Sequence, residues 1–462
     1  MALPELIEIV PLTKPVHAEI TVPGSKSITN RALILAALGN GETTLLGALW
    51  SEDTQVMVEA LRKLGFAVEV LEDKLEPCNR TIKIKGQCGR IPNAGTEKDP
   101  LQIFVGNAGT AARFLAPLVC LGQGVYRLHG VPRMHERPQA ALLQALRGLG
   151  YKIDSPNNRL PVAIHGIGPH HGKCRVSIEE SSQFASGLLM CAKVAGWEVE
   201  VDGENAEESP YVVMTNSLVR AFAHAEETFQ IEPDTSSGSY FWAVNEIAPG
   251  GSWHRNMREK VNHIPDARRF SEFVENVEHA RSEFTDVSVS SWPMSLKGRL
   301  QIDANFAPWI EHWQDNRVVS RNSDLGDSIM TAIVLSPLLS ERTKYTDLGR
   351  LRLQECERVV ALRTELTKCG AKVTEEGDTL EILPSQLHGA EIETYGDHRM
   401  AMCFAVLGLR VPGIKVRNPG CVKKTFPNFF QKLASPPPHG LGATILDPRN
   451  GRELALGDLF AD

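Results

Sequence analysis

Apolar and polar positions along this chain fall into two alternating rhythms. Short runs such as ELIEIVPL and HAEITV predict strands near the start. The next segment, ITNRALILAALGNG, carries Ala32, Leu33, Leu35, Ala36 and Ala37 at helical spacing and ends at Gly39 and Gly41, which predicts a helix with one apolar face. The same order of polar or glycine-bearing start, helix, glycine and strand returns at residues 51–73, 107–130, 137–155, 181–203, 359–384 and 398–418. Such repetition implies an α/β or α+β architecture built from duplicated units. The stretch 247–325 is irregular, rich in Asn, Ser, Trp, Arg and His, and reads as insertions or a lid. Pro436–Pro438 marks a stiff link before a short tail, expected to add a strand and helix on the surface or to stay partly mobile.

A chain of 462 residues suggests two or three domains, and 42% hydrophobic with 23% charged residues is ordinary for packed cores. The 49 basic and 56 acidic residues give a net charge of −7, which argues against general nucleic-acid binding. Nine scattered cysteines lack metal-finger or CxxC spacing, and the start shows no secretory leader. No window is apolar enough to span a membrane. These features place the chain in a reducing, cytoplasmic setting.

The candidate chemistry sits at helix starts. VPGSKSITNR lacks the first glycine of a nucleotide phosphate loop, because Glu19 stands there. Free N–H groups, hydroxyls and Lys26 can nevertheless hold an anion; the alternative is a plain turn with a solvated lysine. In GNAGTAARF, Gly106 and Gly109 permit close backbone approach, Thr110 is a candidate cap, and a buried Arg113 would want an anion. Arg133 and Arg137 of RMHERP suit carboxylate or phosphate, or form a surface pair with Glu136. Ser181, Ser182 and Gln183 open another helix, where one serine would cap and all three exceed what capping needs. Asp327 precedes a further apolar helix, either as its N-cap or as a base. Arg352, Glu355 and Arg358, then Asp397, His398 and Arg399, then Lys423 and Lys424 complete the set. A Glu355–Arg358 pair would be common on a surface. Together these starts imply an enzyme for small, multiply anionic substrates.

Read in order from about residue 20 to 433, the pieces PGSKSITNRALILAALGNGET, LWSEDTQVM, GNAGTAARF, RMHERP, SSQF, PYVVMT, DTSSGSYF, GDSIMT, QECER, GDHRMAM and CVKKTFPNF resemble the EPSP synthases of the enolpyruvyl transferase family. The resemblance implies a two-lobed, inside-out α/β barrel of six βαβαββ units. Residues 1–23 and 232–462, with a C-terminal extension, would form one lobe and 24–231 the other, with the active site in the cleft. It implies transfer of the enolpyruvyl group of phosphoenolpyruvate to the 5-hydroxyl of shikimate 3-phosphate by addition and elimination, without cofactor or metal, by a monomer. Lys26 would touch both substrates. Ser27, Arg31, Ser181, Ser182, Gln183, Tyr211, Asp327, Arg350 and Gln354 would line the shikimate 3-phosphate side. Gly109, Arg137, Gln183, Arg358, Arg399 and Lys424 would hold phosphoenolpyruvate. Asp327 would take the hydroxyl proton, Glu355 the methylene proton, and Lys424 would act toward the phosphate.

Three positions depart from the family. Gln354 stands where it has lysine, Arg350 where it has asparagine, and Glu208 where it has serine, although Ser209 is one residue away. The segment around 300–325 also interrupts the approach to Asp327. The departures leave two alternatives: a paralogue acting on another cyclic polyol acid without the phosphate, and a non-catalytic relative that binds an anion or a protein.

Overall fold

The computed structural model describes residues 3–461 except 75, 204–208, 224–226, 252–280, 294–299 and 314–316. The chain divides into two compact units, Pro23–Glu232 and the discontinuous Met1–Val22 with Pro233–Asp462. Glu208 lies outside the described residues, as does part of the irregular stretch 247–325.

The inserted unit, Pro23–Glu232, holds two four-stranded sheets and a two-stranded one among the described residues. In the first, Thr228–Gln230 runs parallel to Asn40–Leu49, followed by antiparallel Asn79–Gln87 and Val68–Glu72. In the second, Leu101–Phe104 runs parallel to Gln123–His129, followed by antiparallel Val162–Ile167 and Lys152–Asp154. Parallel neighbours need a crossover, and the helix Gly109–Cys120 supplies it between Leu101–Phe104 and Gln123–His129. Gln183–Ala195 does the same for the parallel pair Gly172–Ser177 and Trp197–Asp202.

The discontinuous unit repeats the order. Val318–Ser320 runs parallel to Thr343–Thr346, then come antiparallel Thr379–Leu383 and Lys372–Glu376. Glu391–Ile392 and Ile414–Arg417 form a parallel pair, with Leu6–Ile9 joining antiparallel. Asp286–Val289, inside the irregular stretch, pairs with His17–Ile20 and is therefore part of a sheet. The tail is integrated too: Ile445–Asp447 extends the sheet beside Leu6–Ile9, and Leu459 and Ala461 are buried. Among the described residues, no helix is long and apolar enough to cross a membrane.

One expectation changes. The helix Lys26–Leu38 is buried from Ile28 onward on every side, not on one face. Gly109–Cys120 and Ile329–Leu335 are wholly buried as well. A helix enclosed all round is a core helix, and here Thr29, Asn30 and Arg31 are buried with it. Close helix packing depends on Gly187, where an added Cβ would sit 2.4 Å from the carbonyl oxygen of Arg113. Pro117 offers that carbonyl no N–H within its own helix.

Candidate active site

In the inserted unit, helix starts and the chemistry they carry converge by direct contacts. Lys26 opens Lys26–Leu38 and pairs with Asp53 at 3.1 Å. Asp53 lies in the first turn of Glu52–Lys63. A cation at a helix start opposes the dipole, so this ion pair offsets an unfavourable placement; the lysine is not simply solvated. One turn on, Arg31 is fully buried. Its Nε donates to Thr215 Oγ1 at 2.8 Å, one Nη to the Ser27 carbonyl at 2.8 Å and the other to Ser186 Oγ at 2.9 Å. Its guanidinium also faces the rings of Phe114 and Tyr211. Burial lowers its pKa to about 10, with Tyr211 opposing. Ser186 reaches back to the Ser182 carbonyl at 3.1 Å, which ties the SSQF turn to Arg31.

The second cluster of this unit surrounds Gly109. Arg113 donates to Gln183 Oε1 at 2.8 Å and lies over Phe184. Arg137 donates to the Asn107 carbonyl at 3.1 Å, and its buried Nε has no hydrogen-bond partner among the described residues. A Cβ on Gly109 would stand 2.9 Å from Arg137 Nη2 and 3.1 Å from Arg113 Nη1, so the glycine keeps the helix start open beside both arginines. Of two capping expectations, the one at Thr110 is corrected and the one at Ser181 or Ser182 holds. Thr110 accepts from Asn30 at 2.8 Å while Ala108 occupies the N-cap. Ser182 is the N-cap of Gln183–Ala195, yet the Ser181 hydroxyl is the one that accepts the Gln183 N–H, at 3.3 Å. Arg133 and Glu136 form the exposed pair the sequence allows, at 2.6 Å, and Arg137 stays apart from it.

The discontinuous unit has a different character. Asp327 is no N-cap: it sits in the turn Gly326–Ser328 and Ser328 occupies the cap of Ile329–Leu335. Its Oδ1 accepts from Arg321 Nη2 at 2.6 Å; Oδ2 faces Arg399 Nη2 at 3.4 Å and Arg358 Nη1 at 3.9 Å. Burial alone would raise this carboxyl, but Arg321, Arg399 and Arg358 outweigh burial and hold it below the usual carboxylate range. Arg358 is 1% exposed, which removes the surface-pair reading of Glu355–Arg358. It binds Asp397 at 2.7 Å and Glu355 at 2.9 Å, and Glu355 binds Lys424 at 3.0 Å. Burial lowers the Arg358 guanidinium, but Asp397, Glu355 and Asp327 more than compensate and raise it. Arg399 donates to Ser236 at 2.9 Å.

Gln354 accepts a hydrogen bond from Arg358, so it belongs to this cluster, whereas half-buried Arg350 lies on the preceding turn Gly349–Leu353. Arg352 is not in the site; it bonds Glu357, Glu375 and Asp378. Sequence reasoning passed over Arg321 and Asp303, whose Oδ1 accepts the Ser328 N–H at 2.6 Å. It also passed over Thr215 and Ser186. The available signal was polarity within otherwise apolar helices, as at Thr215 and Ser186, each fully buried.

A family model for EPSP synthase (3-phosphoshikimate 1-carboxyvinyltransferase) matches residues 10–225 and 223–433. A 3-phosphoshikimate 1-carboxyvinyltransferase of Opitutus terrae is 36% identical over 94% of this chain and 98% of its own. One from Trichormus variabilis is 35% identical over 93% and 98%. Among solved structures, EPSP synthase from Acinetobacter baumannii matches with a TM-score of 0.64 at 21% identity, covering 96% of this chain and all of the other. The enolpyruvyl transferase NikO from Streptomyces tendae matches at 0.60 and 14% identity, covering 97% and 98%, and shares the fold. With a family match spanning nearly the whole chain and relatives this similar at full length, the chain belongs to the EPSP synthase (3-phosphoshikimate 1-carboxyvinyltransferase) family.

Proposed function

We propose that this chain transfers the enolpyruvyl group of phosphoenolpyruvate to the 5-hydroxyl of shikimate 3-phosphate and releases phosphate. The observation that carries the reading is the 36% identity over 94% of the chain to a relative bearing that activity as its name. The buried clusters supply chemistry suited to it. Arg31, presented by hydroxyls and a carbonyl, suits the shikimate carboxylate, with Ser27 and Tyr211 beside the ring and Ser181, Ser182 and Gln183 at the phosphate side. Lys26, Gly109, Arg137, Arg358, Arg399 and Lys424 take phosphoenolpyruvate.

Asp327 accepts the proton of the 5-hydroxyl as its oxygen bonds to C2 of phosphoenolpyruvate. A proton delivered by the Glu355–Lys424 pair makes the methylene a methyl, giving a tetrahedral intermediate. Removal of a methyl proton by the same pair restores the double bond as the C–O bond to phosphate breaks, and the departing phosphate carries off the proton first taken by Asp327, so that each group ends as it began. The arginines disperse the charge of phosphate and carboxylate.

At the fold level, three parallel pairs recur in each unit, two of them with antiparallel partners among the described residues, which supports a reading of three βαβαββ copies in each unit. The enzyme is a cytoplasmic monomer in this reading.

Mixing purified protein with both substrates and following phosphate tests the proposal; steady release is the expected result. Gln354, which contributes a neutral amide rather than a cation, favours a second reading with an unphosphorylated cyclic polyol acid as acceptor. Silence with shikimate 3-phosphate and turnover with such an acid would establish that second reading and overturn the first.

A further inference from the structure

The irregular segment before Asp327 has a use that the proposed reaction does not assign. Arg321 begins the turn Arg321–Leu325, capped by the Ser320 hydroxyl, and is 4% exposed. It donates to Asp327 Oδ1, and its own buried Nε has no hydrogen-bond partner among the described residues. Asp303, on the turn Ile302–Asn305, reaches the same place from another side. Its Oδ1 accepts the Ser328 N–H, and a Cβ on Gly326 would stand 2.8 Å from its Oδ2. Asn305 ties the two turns through the Asp324 carbonyl at 3.0 Å.

We propose that Arg321 and Asp303 are positioning residues for Asp327: Arg321 pins Oδ1 so that Oδ2, beside Arg399 at 3.4 Å, is the oxygen presented to the acceptor hydroxyl, while Asp303 clamps the turn that carries Asp327. The proposal rests on Asp327 taking the hydroxyl proton. Asp303 faces Asp327, Arg399 and Asp234, and burial first, then the Asp327 charge, pushes its carboxyl up to about 7 against Arg399 and the Ser328 N–H. When Asp303 ionises, its charge opposes the arginines around Asp327 and makes Asp327 the stronger base. Turnover therefore rises as pH climbs through that value.

The test compares Arg321→Gln, Arg321→Lys and Asp303→Asn with the unaltered chain. Arg321→Gln should lower kcat about ten- to a hundredfold with both KM values little changed, and Arg321→Lys should restore most of it. Asp303→Asn, which can keep the Ser328 hydrogen bond, should abolish the rise of kcat near neutrality. An activity-independent arm uses carbon-13 carboxyl-labelled aspartate. One carboxyl should titrate at about 7 and vanish in Asp303→Asn, and the Asp327 signal should titrate higher in Arg321→Gln and less so in Arg321→Lys, which keeps the cation. No phosphate release by the unaltered chain would sink the reaction, and the titrations would still decide the positioning. Unchanged kcat in Arg321→Gln, or an unmoved Asp327 titration, would overturn the proposal.

Discussion

The two clusters treat their arginines in opposite ways, although Lys26 of the first is paired with Asp53. In Pro23–Glu232, Arg31 and Arg137 are held by hydroxyls and carbonyls, and neither has a carboxylate among its hydrogen-bond partners in the described residues. The N-caps Ser25, Ala108 and Ser182 make no side-chain capping bond, and those helices have no acidic residue in the first turn. In Pro233–Asp462, by contrast, Asp234, Glu357 and Asp397 cap their helices with carboxylates. There Arg358, Arg321 and Lys424 are paired with Asp397, Asp327 and Glu355. An arginine buried without its counter-ion is costly until an anion arrives, so the first cluster suits the anion binding that the proposed reaction asks of it. In the proposed reaction the second, whose cations already face carboxylates, adds the proton-transfer groups as well as Arg358, Arg399 and Lys424 for phosphoenolpyruvate.

The largest test of this contrast removes the proposed base. Asp327→Asn should lower kcat by about a hundred- to ten-thousandfold while acceptor affinity changes little. A matching loss of affinity would erase the distinction between the clusters. Arg31→Gln should do the reverse, raising the acceptor KM about ten- to a hundredfold, as expected for a charge-assisted bond, with kcat much less affected. Gly109→Ala forces Arg137 and Arg113 to shift, and should raise the phosphoenolpyruvate KM by about tenfold. Equal KM values would place that anion elsewhere. Gln354→Lys should tighten shikimate 3-phosphate by up to about tenfold, and unchanged affinity would remove position 354 from the acceptor side.

Stability against pH gives the smallest effect. Between the ordinary value of 3.8 and about 7, folded Asp303 keeps a proton that the unfolded chain has lost. Its contribution to stability therefore falls as pH rises through that window. Thermal melting should show Asp303→Asn gaining on the unaltered chain from pH 5 to pH 8; a constant difference would contradict the raised carboxyl. Asp327 works the other way: its lowered carboxyl stabilises above the ordinary value and loses that contribution as pH falls.

Helix–glycine–strand order and the helix-start residues were legible because they are local. Arg31 and Gln183 lie on helices whose spacing is plain, and their positions followed. The enclosure of Lys26–Leu38 was not legible, since Asn30 and Arg31 make that helix look one-sided until Thr110 is seen to accept from the Asn30 amide and Thr215 and Ser186 from Arg31. Asp327 looked like a cap because a carboxylate before an apolar run usually is one. Only the fold shows that Asp303, 25 residues before Ser328, holds the Ser328 N–H. Arg321 and Asp303 lie in a stretch without periodicity, where nothing local separates a buried ion pair from a solvated loop. The tail was ambiguous for a similar reason: its pairing partner, Leu6–Ile9, lies at the other end of the chain.

The division of labour is tested most directly by single-turnover rates at saturating substrate for Arg31→Gln and Asp327→Asn, measured side by side. The account predicts that Arg31→Gln, once saturated, turns over near the unaltered rate, whereas Asp327→Asn stays slow at any concentration. Recovery of Asp327→Asn on saturation, or failure of Arg31→Gln to recover, would contradict it.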